Sequence, residues 1–148
     1  MRIRKYNEHL REDTLVISAF PGCGKSHFFR TADGKVLDSD SSTFDKSGFP
    51  QNYMEHIKSN LGKVDIILVS SHEEVRDALV KNRIPFTLVY PSLDSNEEYI
   101  QRYIDRGSPT GFIKLLESNW DNWISECHNQ KGCEKIELKK GKFLSDII

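Results

Sequence analysis

The stretch TLVISAFPGCGKSHFF, residues 14–29, sets a lysine and a hydroxyl directly after a glycine-rich turn. That combination suits an anion. Gly22 and Gly24 keep side chains clear of the backbone, so successive N–H groups can curl around phosphate oxygens. Pro21, Gly22, Cys23, Gly24, Lys25, Ser26 and His27 are the residues expected to form the cradle. Lys25 can reach the outer phosphates of a nucleotide, and Ser26 can ligate Mg²⁺. A helix expected from about Lys25 points its positive end at the same place. The spacing usual for such a loop calls for a glycine five residues before Gly24, and Ala19 stands there. At the end of a strand with ordinary backbone angles, a methyl group is tolerable. The Cys23 thiol is read as incidental.

Two further groups could complete a reaction. In KVLDSDSSTF, residues 35–44, Asp38 and Asp40 follow a short apolar run. Transfer of a phosphoryl group to a hydroxyl needs a carboxylate to accept or orient the proton, and a magnesium ion needs acidic support. Asp40 is assigned to the base and Asp38 to the metal side. The competing reading is a polar turn with a helix cap. In EEYIQRYIDRGSP, residues 97–109, Arg102 and Arg106 are four apart and share a helix face. Both are assigned to the charge that spreads over a phosphoryl group in flight. A solvated charge stripe with Glu97, Glu98 and Asp105 fits the spacing equally well. Phe44, Phe49 and Tyr53 are placed to stack on an acceptor base, or else belong to the core.

These residues need elements to position them. Strands are read at 14–19, 35–38, 64–69, 85–90 and 135–138, and helices at 25–32, 51–61, 74–82, 95–105 and 110–127. Ser71 and Glu74 have capping-box spacing. The near-strict alternation predicts an α/β fold with a parallel sheet of about five strands and helices on both faces. Ligands of such sheets sit at the C-terminal strand ends, where PGCGKS, DSDSS, SSHEE and YPSLD fall. Trp120, Trp123, Phe112 and Leu116 recur at helical spacing and are assigned to packing. Residues 1–13 are read as an extension of uncertain structure.

The bulk properties limit the alternatives. A chain of 148 residues suits one domain, and a net charge of −1 excludes a surface that is basic throughout. Three cysteines at no metal-ligand spacing argue against a disulfide framework and for a reducing cytoplasm. No run approaches the length of a membrane helix. VDIILV runs into Ser70-Ser71-His72 rather than an aspartate, and there is no Asn-Lys-x-Asp guanine signature.

Taken in order, AFPGCGKS (19–26), VLDSDSSTF (36–44), VDIILVSSH (64–72) and YIQRYIDRGSP (99–109) resemble the small P-loop kinases of the nucleotide and polynucleotide 5′-kinase type, over about residues 14–118. The chain is also similar to short phage-encoded adenylate-kinase-like proteins. The resemblance implies a three-layer P-loop NTPase fold, one kinase domain over 1–148, and a lid with its following helix at 95–118. It implies ATP and Mg²⁺, and γ-phosphoryl transfer to a nucleotide or nucleic-acid hydroxyl: a nucleoside, a 5′ end or a modified base in DNA. By the family's spacing Asp40 takes the base's place, and Arg106, before Gly107, takes that of the lid arginine. The family's arginine shortly after the base is replaced by Ser42, Thr43 and Phe44, and the aspartate ending its third strand by Ser70 or Ser71. Only 41–61 remain for an acceptor site. A nucleoside monophosphate kinase is the alternative within enzymes; a non-catalytic nucleotide-binding switch is the alternative outside them. The expected location is the cytoplasm, that of the host if the chain is phage-encoded.

Overall fold

The computed structural model describes residues 14–32 and 34–148. The expected N-terminal extension, 1–13, lies outside them. Runs of β-branched and aliphatic residues give the central strands β1 (Leu15–Ala19), β3 (Ile66–Val69) and β4 (Thr87–Pro91), and the more polar β2 (Val36–Asp38) and β5 (Glu134–Leu138) flank them. The helices are α1 (Lys25–Thr31), α2 (Gln51–Asn60), α3 (Glu73–Lys81), α4 (Asn96–Asp105) and α5 (Thr110–Asn129). One all-parallel sheet runs β2-β3-β1-β4-β5.

That order fixes where a ligand can enter. From β1 the chain passes over β3 to reach β2, whereas from β3 it passes over β1 to reach β4. Right-handed crossovers therefore send α1 to one face and α3 to the other. The crevice between the C-terminal ends of β1 and β3 is the switch point of the sheet. The loop after β1 opens there, and β2 brings its own C-terminal end alongside β3, with Asp38 opposite Leu68.

The core explains why the central strands are apolar on both faces. Val16, Ile17, Ile67, Leu68, Leu88 and Val89 are at most 1% exposed. On α5 the buried stripe is Leu116, Trp120, Ile124 and Cys127; of the residues assigned to packing from their spacing, Leu116 and Trp120 lie in it and Phe112 and Trp123 are partly buried beside it. The Trp120 indole N–H donates to the Leu93 carbonyl at 2.8 Å. The Ser71–Glu74 capping box does not form. His72 occupies the N-cap and α3 starts at Glu73, so Ser71 lies one residue too early. Among the described residues, no helix is long and apolar enough to cross a membrane.

Candidate functional site

Ala19 ends β1 in register with Val89 and is buried, 1% exposed. The chain then turns sharply. Gly22 (φ +93°) and Gly24 (φ +96°) are both left-handed, a conformation that side chains disfavour. A Cβ on Gly22 would meet the Tyr99 ring at 2.9 Å, and one on Gly24 would meet Phe143 at 3.2 Å.

The loop's carbonyls are turned outward and tied. Tyr103 donates its hydroxyl to the Pro21 carbonyl, Arg102 Nη1 donates to that of Gly22 at 2.6 Å, and the Leu144 amide donates to that of Cys23 at 2.8 Å. Among the described residues, no acceptor is found for the N–H groups of Gly22, Gly24, Lys25, Ser26 or His27. A glycine turn whose carbonyls are tied and whose amides are left without acceptors can offer those amides to an anion. The Cys23 amide is an exception, because it donates to the Phe20 carbonyl at 3.1 Å. Its thiol is buried 3.4 Å from the Tyr99 hydroxyl, and burial pushes it up to about 12. Cys23 is therefore part of the loop's footing, and of the expected cradle it alone is missing from the cleft lining.

The cleft above the loop has a volume of about 630 Å³. It gathers Pro21, Gly22, Gly24, Lys25, Ser26 and His27 from the loop, Asp38 and Asp40 from the end of β2, and Arg102 and Arg106 from α4. Sequence reasoning placed these groups on separate elements; the switch point brings them to one wall-to-wall site. Burial lowers the pKa of Lys25, and the charges of Asp38 and Asp40 oppose that shift. Asp40 is exposed, and its carboxyl is held below the usual range chiefly by hydrogen bonds from Ser42. The Ser42 amide donates to Asp40 Oδ1 at 2.9 Å, so Asp40 also caps the 3₁₀ turn Ser41–Thr43. The cap and the place in the cleft are compatible: one carboxylate oxygen holds the turn, which fixes where the other points.

Two assignments change. Tyr53 is fully buried, so it is not available to stack on an acceptor. Its hydroxyl donates to the Ser39 carbonyl at 2.7 Å and accepts from the Ser70 amide at 3.4 Å. Phe44 and Phe49 pack against its ring at 4.9 and 5.7 Å, and none of these aromatic residues lines the cleft. They brace the ends of β2 and β3 from behind. Arg102 differs from a mobile lid residue: besides the Gly22 carbonyl it pairs with Glu98 at 2.5 Å, and its guanidinium lies between the rings of Tyr99 (4.3 Å) and Phe143 (3.8 Å). Arg106 is exposed at the end of α4, and its Nε donates to the Ser108 hydroxyl at 3.3 Å.

Sequence reasoning missed Phe143, Ser39, Ser70 and Asp105, all of which line the cleft. Phe143 belongs to a C-terminal segment held down by Leu144 and Ile147, which are 0% and 7% exposed. Burying each is worth about 2 kcal/mol.

Gly22→Ala is expected to cost about 2 kcal/mol, from the left-handed backbone and the Tyr99 contact together. In a chain this long that lowers the Tm by roughly 5 °C, readable by calorimetry. No protein-family model matches this sequence and no curated protein matches it either.

Proposed function

We propose that the chain is a P-loop phosphotransferase that uses Mg·ATP to phosphorylate a hydroxyl of a nucleotide or nucleic acid. The observation that carries this reading is the pairing of an amide-lined glycine loop, bearing Lys25 and Ser26, with the carboxylates of Asp38 and Asp40 in one cleft. The donor triphosphate lies along the amides of the loop, with Lys25 on its outer phosphates. Ser26 and Asp38 suit a magnesium ion, which takes one or two protein oxygens and completes its shell with phosphate oxygens and water. When bound, it neutralises charge on the phosphates.

Asp40 orients the acceptor hydroxyl and takes its proton as the new P–O bond forms. The bond from the γ-phosphorus to the bridging oxygen breaks, and ADP carries off that electron pair. Arg106, exposed at the cleft's edge, is a second cation, beside Lys25, for the group in transit.

A hydroxyl acceptor is favoured over a monophosphate by the charges on the acceptor side. The stretch 41–60 contains Lys46 and Lys58 as its lysines, with no arginine. Neither lines the cleft, and Lys58 is bonded to Asn82 Oδ1 at 2.9 Å. Among the described residues, an acceptor phosphate entering beside Asp38 and Asp40 would meet like charge, with no cation from 41–60 in the cleft lining to offset it.

The test is transfer from γ-³²P-ATP with Mg²⁺ into nucleosides, ribo- and deoxynucleoside monophosphates, 5′-hydroxyl oligonucleotides and DNA with hydroxymethylated pyrimidines. Label is expected on a hydroxyl. Label confined to monophosphates, forming diphosphates, overturns the hydroxyl assignment. Bound ATP without transfer to any acceptor overturns the enzyme.

A further inference from the structure

We infer that Arg102 is a positioning residue: with Glu98 and Phe143 it locks the glycine loop in its anion-receiving curve, so that docking of the C-terminal segment 141–147 sets nucleotide affinity. The inference rests on the nucleotide reading of the loop.

Glycine peptides rotate easily. If the Gly22 peptide turned over, its carbonyl oxygen would point into the cleft and oppose a phosphate. Arg102 stands against that rotation by holding the Gly22 carbonyl at 2.6 Å. The guanidinium is itself held at several points. Nη2 donates to Glu98 Oε2 at 2.5 Å and to the Lys142 carbonyl at 3.3 Å, and the rings of Tyr99 and Phe143 lie against it at 4.3 and 3.8 Å. Glu98 in turn accepts the Gly141 amide at 2.9 and 3.0 Å on its two carboxylate oxygens. The Leu144 amide closes the circuit on the Cys23 carbonyl. One arginine thus ties together the loop, α4 and the chain's last turn.

A planar fork whose donors are taken up by the Gly22 carbonyl, Glu98 and the Lys142 carbonyl is committed to the loop rather than to a phosphoryl group in flight. Its effect on the reaction runs through the shape of the loop. A preformed loop spares the ligand the cost of ordering it, and that gain appears in binding. Arg106, one turn on, is exposed and held only by the Ser108 hydroxyl at 3.3 Å and the Tyr103 ring at 4.6 Å among the described residues, and is left for the transfer step.

The experiment measures Mg·ATP binding by titration calorimetry, and steady-state kcat and KM, for the wild type, Arg102→Met, Arg102→Lys, Phe143→Ala and Lys25→Ala. Arg102→Met is expected to raise Kd and KM for ATP about tenfold, the loss of a charge-assisted hydrogen bond, with kcat within about threefold. Arg102→Lys should recover part of the affinity, since an ammonium can still donate to the Gly22 carbonyl but cannot bridge Glu98 between two rings. Phe143→Ala removes a partly exposed ring and tests the latch if Arg102→Met does not fold; it too should weaken binding with kcat retained. Wild-type affinity in Arg102→Met, or in a folded Phe143→Ala standing in for it, overturns the inference. So does a fall in kcat at unchanged Kd. If Lys25→Ala also binds like the wild type, or the wild type binds no nucleotide, the nucleotide reading itself falls and takes the inference with it.

Discussion

Lys25→Ala is expected to lower phosphoryl transfer by about 10³-fold, the loss of a principal preorganised charge beside the outer phosphates. Lys25 sits at the start of α1, in a cleft whose other walls supply the carboxylates of Asp38 and Asp40. Burial disfavours its ammonium, so without an anion its pKa is lowered from the ordinary lysine value. An arriving polyphosphate reverses that balance, and binding favours the protonated form. Nucleotide affinity should therefore weaken as pH rises, beginning below the range in which a free lysine titrates. Kinetics from pH 6 to 10 on both proteins check this. The alkaline loss belongs to the wild type and should be missing from Lys25→Ala. A variant within tenfold of wild type would show that the loop does not hold the transferred phosphate.

The loop was legible because its constraints are local. A strand, a tight turn and a helix start follow from neighbouring residues, and Ala19, Gly22 and Gly24 each match the backbone they occupy. The alternation of periods was enough for a parallel sheet, and on α5 the spacing found Leu116 and Trp120 of the buried stripe but not Ile124 and Cys127. Illegible were the facts that depend on what lies across the chain. Helical spacing sets Tyr53 on the inner face of α2, but its hydroxyl's partners, Ser39 and Ser70, come from the ends of two strands. Spacing likewise places Arg102 beside Arg106. It says nothing of the Gly22 carbonyl, 80 residues away, which takes up the guanidinium. Phe143 follows a lysine-rich stretch without any apolar period, and reaches the cleft only because β5 returns the chain beside β4 and Leu144 is buried under the loop.

Asp40→Asn is expected to lower transfer to a hydroxyl acceptor by about 10²-fold while leaving ATP affinity near that of the wild type. The amide keeps an oxygen that can cap the Ser41–Thr43 turn, so the local fold should survive. What disappears is the charge and the proton-accepting oxygen. The type of catalysis follows from the direction of the pKa shift. Bonds from Ser42 hold this carboxyl below the ordinary aspartate range, so it is fully ionised throughout the neutral region. Asp40 is then a weak base that orients the hydroxyl and receives its proton late, when bond formation to phosphorus has made that proton acidic. The sign is checked by pH: as pH falls, the wild type should keep its rate until the lowered pKa is reached. The ratio of wild-type to variant rates should therefore stay level between pH 5 and 8. A ratio that collapses toward one as pH falls through 6 would require a base titrating near neutrality and would move that role away from Asp40. An unchanged rate in the variant would instead favour an acceptor that brings its own anionic oxygen, as a monophosphate does. Asp40 would then be left with the cap alone.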